Sequence, residues 1–428
     1  MINFIRNQKL FILFIFFSVI ILLHTYYKDE IIWKGANKEF YIQYYYLSLI
    51  FFFLAIILLF LNKNFKRIIA IFLVSTFFSI YLFEFYATYI KTKVKVEDNR
   101  FNFFQNFKKN NSSATVMIPA KSYLDIENIN FFPISGLSNK KTVFCNENGY
   151  MSIYDSDRYG FNNPDKEWDY NEIEYFVIGD SFGHGACVNR PNDIASKLRM
   201  YSKKPTINVS FSGNGPLTEY ASLIEYSKYK DIKNIIWLFY EGNDYSNLIE
   251  ELKNKVLLRY LEDDNFNQNL KLLQNKTDLF GEEIILAEEN RYKEMKNREF
   301  VSFLKLNNLR TLLHKKQVVF YEKDMPKDDF EKIIKKISTK AKNLNANLIF
   351  VYIQEYKRFE ENAKNKDIYL ETISIIRNEN IKIIDIRDYF MKNDPYSIFP
   401  FRKNGHYTIE GYDKIAKLIY NSQFTNDE

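Results

Sequence analysis

The sequence predicts an α/β fold with a parallel sheet, preceded by a group of membrane-spanning helices. Two observations lead to this prediction. Three apolar stretches crowd the first 90 residues, and further along the chain short apolar, β-branched runs alternate with helix-like segments. Strands that are apolar on both faces and alternate with helices are typical of a parallel sheet covered on both sides.

Length and composition indicate a folded protein with more than one part. The chain has 428 residues, of which 46% are hydrophobic and 26% charged, with 13 Gly and 9 Pro. These values exclude collagen, a disordered tail and a low-complexity scaffold. We expect a membrane anchor over residues 1–95, an extended lead-in with short strands over 96–170 and the α/β domain over 171–424.

Charge and cysteine content exclude two further classes of protein. The 59 basic residues are spread among 53 acidic ones, so the chain has no basic cluster of the kind that nucleic-acid binding requires, and no nucleic-acid partner is expected. Cys145 and Cys187 are too few for a disulfide framework or a multi-cysteine zinc site. We expect two free thiols, with a single bridge as the alternative in an oxidising compartment.

The three apolar stretches are predicted to be membrane spans, at Leu10–Leu23, Tyr44–Leu61 and Ile68–Ile90. The second and third approach the roughly 20 residues that cross a bilayer as a helix. The first could instead be a signal peptide, but it lacks a small-residue cleavage site, and this favours a retained anchor.

Basic residues in short loops predict the orientation. Arg6 and Lys9 precede the first stretch, and Lys63, Lys66 and Arg67 fill the link between the second and third, so both sites are predicted to be cytoplasmic. The α/β domain then lies on the periplasmic or extracellular side of a bacterial inner membrane. Three lysines directly after the third stretch favour the opposite orientation: Lys91, Lys93 and Lys95.

Glu84 is an acidic residue inside the third stretch. It could mark an intramembrane site, but a single carboxylate near the end of a long span is more often snorkelling or facing another helix.

Five runs are predicted to be strands: Glu174–Ile178, Thr206–Val209, Asn234–Tyr240, Asn347–Ile353 and Ile381–Ile386. The intervening helices are predicted at Pro191–Tyr201, Pro216–Lys228, Phe330–Asn343, Lys366–Arg377 and Thr408–Tyr420. A charged, helical insertion at about 245–330 interrupts the alternation. It is predicted to be a solvated elaboration, with a lid or binding surface as the alternative.

Ser181 is the candidate nucleophile. It follows the first strand of the α/β domain in YFVIGDSFGHG, where Gly179 and Gly183 permit a sharp strand-to-helix turn. The alternative is an ordinary helix N-cap, a common role for serine in such a turn.

His406 is the candidate base for this serine, and it is found by elimination among 4 histidines. His24 lies at the membrane, His184 is three residues from Ser181, and His314 lies in the charged insertion. His406 lies in a loop after the last strand, at the edge of the sheet where Ser181 is expected.

Two further turns after strands offer donors for an oxyanion. Gly213 in NVSFSGNGP follows the second strand, and Asn243 in YEGND follows the third. Each turn alone is weak evidence, because Gly-Asn sequences usually form plain turns. Ser, Gly, Asn and His each come just past a strand end, where a parallel sheet would gather them.

The segments GDSFGHG, SGNG, EGND and NGHYTIEGYDKIA resemble the conserved blocks of the SGNH, or GDSL-type, hydrolase superfamily over about residues 175–420. The resemblance implies a flavodoxin-like three-layer sandwich. It also implies that Ser181 is the nucleophile, that Ser181, Gly213 and Asn243 form the oxyanion hole, and that His406 is the general base. No cofactor and no metal are implied.

One position departs from the family pattern, because Lys403 stands where an Asp commonly orients the histidine. Three interpretations stay open. The base could be held by a backbone carbonyl, the acid could come from Asp385, Asp388 or Asp394, or the site could have lost turnover.

The motif G-x-S-x-G around Ser181 also fits the α/β-hydrolase elbow. That fold fits less well, because in it several strands precede the nucleophile and Asn243 has no role.

The sequence therefore predicts a membrane-anchored serine esterase acting on acyl esters, with cell-surface polysaccharide as the substrate that the resemblance suggests. The alternatives are an O-acyltransferase with a sugar acceptor and a non-catalytic carbohydrate-binding or assembly protein.

Overall fold

The computed structural model describes residues 2–32, 38–91, 100–124, 130–297, 299–313, 325–359, 366–391 and 394–424. Lys93, Lys95 and His314, which were considered above, lie outside the described residues. The described chain forms two compact units. The first contains 2–91 together with 301–313, and the second contains the other described residues from 100 onward.

The first unit contains three helices that are long and apolar enough to cross a membrane, over Ile12–Ile31, Tyr41–Phe60 and Lys63–Ile90. The regular α-helical parts are Ile2–Tyr26, Lys38–Phe60 and Lys63–Phe85, and π-helical turns follow the first and third at Tyr27–Ile32 and Tyr86–Lys91. Asn62 begins the third helix, since its side chain accepts a hydrogen bond from the Phe65 N–H at 3.0 Å.

Glu84 faces another helix, as the more common of its two interpretations predicts. Its side chain is fully buried. Its carboxylate accepts hydrogen bonds from the backbone N–H groups of Asn308 and Leu309, at 2.8 and 2.9 Å. A segment more than two hundred residues downstream therefore belongs to the same unit as the apolar helices.

The second unit begins with a helix, Arg100–Lys108, and a small sheet. Strands β1 (Ala114–Val116), β2 (Lys141–Val143) and β3 (Ile153–Asp155) form this sheet, with β1 parallel and β3 antiparallel to β2. The region predicted to be a lead-in with short strands contains three such strands, and it also contains a helix that was not predicted.

A second sheet in the described chain has five parallel strands: β4 (Glu172–Gly179), β5 (Thr206–Asn208), β6 (Asp231–Tyr240), β7 (Asn347–Ile353) and β8 (Lys382–Asp385). Their spatial order is β5-β4-β6-β7-β8. This is the flavodoxin-like order 2-1-3-4-5. The predicted α/β fold class is confirmed. The α/β-hydrolase fold is disfavoured, because in it several strands precede the nucleophile, whereas here the serine turn follows the first strand of this sheet.

Alternate residues of the strands supply two separate cores. On one face Phe176, Trp237 and Phe350 pack in one apolar cluster with residues of helices on that side. On the other face Val177 and Leu238 belong to a second cluster. Both faces of the sheet are buried, and this explains why the strands read as nearly continuous apolar runs.

The helices of the first face are Pro216–Tyr226, Lys327–Asn343 and Lys366–Asn378. Those of the second face are Ile194–Ser202, Ile386–Met391 and Ile409–Asn421. The insertion is helical at Asp244–Glu251, Lys255–Glu262, Gln274–Asn297, Glu299–Leu304 and Asn307–Leu313. The short helix Ser181–His184 follows β4.

Gly183 allows this short helix to approach the end of the neighbouring strand. A Cβ at Gly183 would lie 2.3 Å from Ser210 Oγ and 2.6 Å from Ser210 Cβ. We therefore expect Gly183→Ala to destabilise the second unit by about 1–3 kcal/mol through overpacking. Thermal unfolding of the full chain in detergent measures this loss.

The double variant Gly183→Ala/Ser210→Gly removes both clashing atoms and should recover part of the lost stability, relative to Ser210→Gly alone. If Gly183→Ala lowers the stability of the wild-type chain and of Ser210→Gly by the same amount, contact with the Ser210 side chain is not the cause of the loss.

Candidate active site

Three turns meet at the carboxyl edge of the five-stranded sheet. Strand β4 pairs with β5 on one side and with β6 on the other. Ser181 follows β4, while Gly213 and Asn243 follow β5 and β6. Because parallel strands present their carboxyl ends at one edge, the two candidate donor turns flank the serine turn.

Ser181 is not the N-cap of the helix that it begins. That position belongs to Asp180, whose Oδ1 accepts a hydrogen bond from the Phe182 N–H at 2.8 Å. Burial raises the pKa of Asp180, which lies fully inside the protein. The capping interpretation of Ser181 is therefore wrong. Its hydroxyl lies 3.2 Å from Asp180 Oδ2, to which it can donate, and closer to the imidazole of His406.

The imidazole of His406 connects the serine to a carboxylate. His406 Nε2 lies 2.9 Å from Ser181 Oγ, and His406 Nδ1 lies 3.0 Å from both carboxylate oxygens of Glu147. The backbone N–H of His406 also donates to Glu147 Oε2, at 2.5 Å. These distances are those of a nucleophile, a base and a group that orients the base.

The carboxylate of Glu147 fixes the tautomer of the imidazole. Burial raises the pKa of Glu147, but hydrogen bonds and the charge of His406 outweigh burial and bring the pKa below its ordinary 4.5. An ionised carboxylate accepts the Nδ1 proton and leaves Nε2 as an acceptor facing the serine hydroxyl. The ring of Phe182 packs against the imidazole with centroids 5.0 Å apart.

A disulfide holds the loop that carries Glu147. Cys145 and Cys187 are bridged, so the expectation of two free thiols is wrong. Asn148 Nδ2 donates to the carbonyl oxygens of Cys187 and Tyr407, at 3.1 and 3.4 Å. The loop is therefore attached on one side to the segment after Ser181 and on the other to the His406 loop.

Gly405 provides the space for this carboxylate. A Cβ at Gly405 would lie only 2.8 Å from Glu147 Oε2. The glycine before His406 thus permits the close approach of the acid to the backbone of the histidine loop.

The aspartates considered as orienting acids have other partners. Asp385 accepts hydrogen bonds from the Tyr369 hydroxyl at 2.5 Å and the Arg387 N–H at 2.9 Å. Asp394 forms an ion pair with Arg402. The side chain of Asp388 lies outside the described part of the structure.

Lys403 is exposed in the loop before His406. The position that commonly holds the acid therefore carries a solvated lysine. The carboxylate comes instead from Glu147, 259 residues away in sequence.

His184 supports the turn that contains Gly213. Its Nδ1 accepts a hydrogen bond from the Ser212 N–H at 3.2 Å. Burial, with a smaller contribution from the charge of His406, lowers the pKa of His184 to about 3, so the ring stays neutral and keeps this acceptor. Gly213 itself has φ of +86°, a backbone conformation that favours glycine.

The side chain of Asn243 is not used to cap its own helix. Asn243 occupies the N-cap of Asp244–Glu251 but makes no side-chain cap hydrogen bond. Asparagine at this position usually caps the helix. Its amide is therefore left for an acceptor at the sheet edge.

Among the described residues, Glu147, Cys187 and His406 are close enough for their donor atoms to surround a metal ion. The sulfur of Cys187 is in a disulfide and is not a thiolate, the form of cysteine that binds metals. We therefore interpret this group as the acid and base of the site.

The sequence patterns did not indicate Glu147 or the supporting position of His184. The two cysteines could have indicated Glu147. Cys187 is only six residues after Ser181 in the sequence, so a bridge from Cys145 to Cys187 brings residues 145–148 near the serine. The expectation of free thiols removed this indication. Nothing in the sequence pattern near His184 distinguishes a support of the Gly213 turn from a candidate base.

No protein-family model and no curated protein matches this chain. Solved structures with similarity include a lipolytic protein of the G-D-S-L family from Desulfitobacterium hafniense, with 13% identity, 58% of this chain and 98% of that chain covered, and a TM-score of 0.33.

Another is an acetyl xylan esterase, with 14% identity, coverage of 58% and 99%, and a TM-score of 0.33. A third is an acetyl-xylooligosaccharide esterase from Geobacillus, with 12% identity, coverage of 60% and 95%, and a TM-score of 0.33. The first of these is described as a lipolytic protein of the G-D-S-L family and the other two as esterases.

Glu147→Gln is expected to slow capture of Ser181 by a fluorophosphonate by up to about 10⁴-fold, the loss seen when a serine protease loses its orienting acid. The amide can donate to Nδ1 and thereby favour the wrong tautomer. Labelling rates of the full chain in detergent measure this effect.

Asp394→Asn and Asp385→Asn are the matched controls and should label at the wild-type rate. A large loss in either control, with none in Glu147→Gln, would assign the orienting acid to that aspartate instead.

Removing the disulfide with Cys145→Ala/Cys187→Ala is expected to loosen the Glu147 loop. The bridge closes a chain separation of 42 residues, which corresponds to about 4 kcal/mol of stability in the chain-entropy model. We expect a lower thermal midpoint and also slower fluorophosphonate capture at temperatures where the variant is folded. Unchanged capture with a lowered midpoint would show that the bridge stabilises the fold without positioning Glu147.

Proposed function

We propose that this protein is a membrane-anchored serine esterase that hydrolyses acyl esters through an acyl-enzyme. One observation carries the proposal, the continuous arrangement of Ser181 Oγ, the His406 imidazole and the Glu147 carboxylate at 2.9 and 3.0 Å. A serine with a base at hydrogen-bond distance and an acid that orients the base has the parts needed for nucleophilic acyl transfer.

In the first step the Ser181 oxygen bonds to the ester carbonyl carbon, and its proton passes to His406 Nε2. The carbonyl oxygen becomes an oxyanion. The backbone N–H groups of Ser181 and Gly213 and the amide of Asn243 stabilise it. Glu147 stabilises the imidazolium that forms, because it accepts the Nδ1 proton as a hydrogen bond.

Collapse of this intermediate breaks the ester bond, and His406 returns its proton to the departing alcohol. Water then adds to the acyl-enzyme while His406 accepts its proton. The acid is released and Ser181 recovers its proton. A sugar hydroxyl in place of water would carry out O-acyl transfer by the same steps.

The three apolar helices serve as the anchor, with the N-terminus in the cytoplasm and the esterase unit outside the inner membrane of a bacterium. The disulfide supports this location, because such bridges persist in oxidising compartments. An enzyme held there meets acylated glycans of the cell surface, the substrate class that we propose.

The non-catalytic alternative was motivated by Lys403 in the place of the usual acid. Glu147 supplies a carboxylate at the imidazole, so the exposed lysine is not a reason to infer lost catalysis. The geometry favours an enzyme.

We expect the full chain in detergent to hydrolyse p-nitrophenyl acetate and to release acetate from acetylated xylan. Ser181→Ala and His406→Ala should each lower kcat by about 10³-fold or more, because both act in the same step. Release of p-nitrophenolate and of acetate measures the two activities.

Ser202→Ala is the control, since its hydroxyl bonds within its own helix to the Leu198 carbonyl. Binding of acetylated xylan without acetate release, together with no fluorophosphonate capture, would support the binding protein instead. Acetate transfer to an added sugar in preference to water would support the transferase.

A further inference from the structure

Residues 301–313 are a part of the insertion that packs within the unit of apolar helices. This segment contains the end of the helix Glu299–Leu304 and the helix Asn307–Leu313. It was predicted from sequence to be solvated, with a lid or a binding surface as the alternative.

Glu84 is the main polar attachment of this segment. Its carboxylate accepts from the N–H groups of Asn308 and Leu309 and also from Asn308 Nδ2, at 3.0 Å. Asn308 Nδ2 donates to Thr88 as well, at 2.9 Å. A buried carboxylate needs such donors, because an unpaired charge away from water is costly. The contact therefore resists separation of the segment from the third helix.

Aromatic contacts extend this attachment. The Tyr81 hydroxyl donates to the Leu304 carbonyl at 3.0 Å. The ring of Phe303 lies between those of Tyr81 and Tyr89, with centroid distances of 5.5 and 5.9 Å. Both tyrosines belong to the third apolar helix and its π-helical end.

Arg310 connects the segment to the second helix. Its Nε donates to the Tyr44 hydroxyl at 3.2 Å, and its guanidinium lies 5.5 Å from the Tyr44 ring centroid. Tyr44 lies near the start of the second helix and Glu84 near the end of the third. Since these helices are joined through Asn62, the segment lies at the end of the pair opposite this short link.

The other side of the segment exposes apolar side chains. Val301, Leu304 and Leu312 are 42%, 49% and 58% exposed. The third apolar helix exposes Leu82 and Phe85 to a similar degree, 53% and 50%, near the same end. Two sets of exposed apolar side chains therefore occur near one end of a unit whose helices are suited to lipid.

We propose that residues 301–313 form an interfacial membrane segment, with Val301, Leu304 and Leu312 among the phospholipid acyl chains just below the headgroups. Continuity with the apolar helices identifies lipid as the occupant of this surface. Lys305 and Arg310 match the anionic headgroups in charge. The inference rests on the proposed membrane anchoring and assigns a second, downstream attachment to the bilayer.

The segment 301–313 also raises the number of chain connections between the two units. The chain passes from the first unit to the second after the third helix, returns for 301–313 and leaves again. Three covalent connections therefore join the anchor to the esterase unit, where a simple N-terminal anchor would have one.

Fluorescence quenching in nanodiscs of phosphatidylcholine and phosphatidylglycerol tests the proposal with the full chain. An NBD label is attached to Leu304→Cys or Leu312→Cys, since Cys145 and Cys187 are bridged and do not take the label. Lipids carry a nitroxide quencher near the headgroup or deep in the acyl chain. Both labels should show blue-shifted emission and greater loss of fluorescence with the shallow quencher than with the deep one.

Two control positions separate failure of this inference from failure of the anchor. Phe78→Cys, in the third helix and 64% exposed, should be quenched by lipid nitroxides. Leu272→Cys, 84% exposed in the insertion outside the segment, gives the emission of a label on the second unit with which the labels at 304 and 312 are compared. A quenched label at 78 with unquenched labels at 304 and 312 would overturn the interfacial segment, whereas no quenching at 78 would overturn the anchor.

Glu84→Ala tests the attachment itself. The variant removes the acceptor of three hydrogen bonds and should reduce quenching at 312 while quenching at 78 stays unchanged. Glu84→Gln keeps one acceptor oxygen and should give an intermediate loss. Blue-shifted labels at 304 and 312 that escape lipid quenching, together with disulfide crosslinking between two copies of the unlabelled cysteine variants, would assign the surface to self-association and overturn the proposal.

Discussion

The parallel pairing of β4 with both of its neighbours is the constraint on which the site depends. The register of Tyr175 with Thr206 on one side and Asn234 on the other brings three strand ends to one edge. Because both faces of these strands are buried, a slip by one residue would exchange the sets of side chains that face the two cores. The serine turn and its two neighbouring turns are therefore held by the packing of the whole sheet.

The acid that orients His406 reaches the site from outside the five-stranded sheet. Glu147 lies in a loop after β2, and the bridge to Cys187 and the hydrogen bonds of Asn148 hold that loop against the edge of the sheet that carries Ser181 and His406. A carboxylate on a loop needs such fixation, since a loose acid would leave the imidazole free to turn. The region before the sheet, which the sequence indicated as a lead-in, thus contributes a functional group.

Two acidic groups, the half-buried Glu147 and the fully buried Glu84, have different surroundings in the two units. Glu147 lies beside a titratable ring and is kept ionised by hydrogen bonds and charge, against the effect of burial. Glu84 meets backbone and amide donors and holds together segments that are far apart in sequence. The two carboxylates are chemically alike, so their different roles come from their partners. Glu147 contacts the imidazole of His406, and Glu84 accepts hydrogen bonds from N–H groups of a distant segment.

The sequence by itself determined the class of the fold, the apolar helices and the turn positions of Ser181, Gly213, Asn243 and His406. Periodicity and strand-end motifs are local, and a parallel sheet converts them into a shared edge by a general rule. Only the tertiary structure decided that Glu147 supplies the carboxylate, that the two cysteines pair and that residues 301–313 join the apolar helices. These are contacts between residues far apart in the chain, and no local pattern specifies which distant partner a buried polar group will meet.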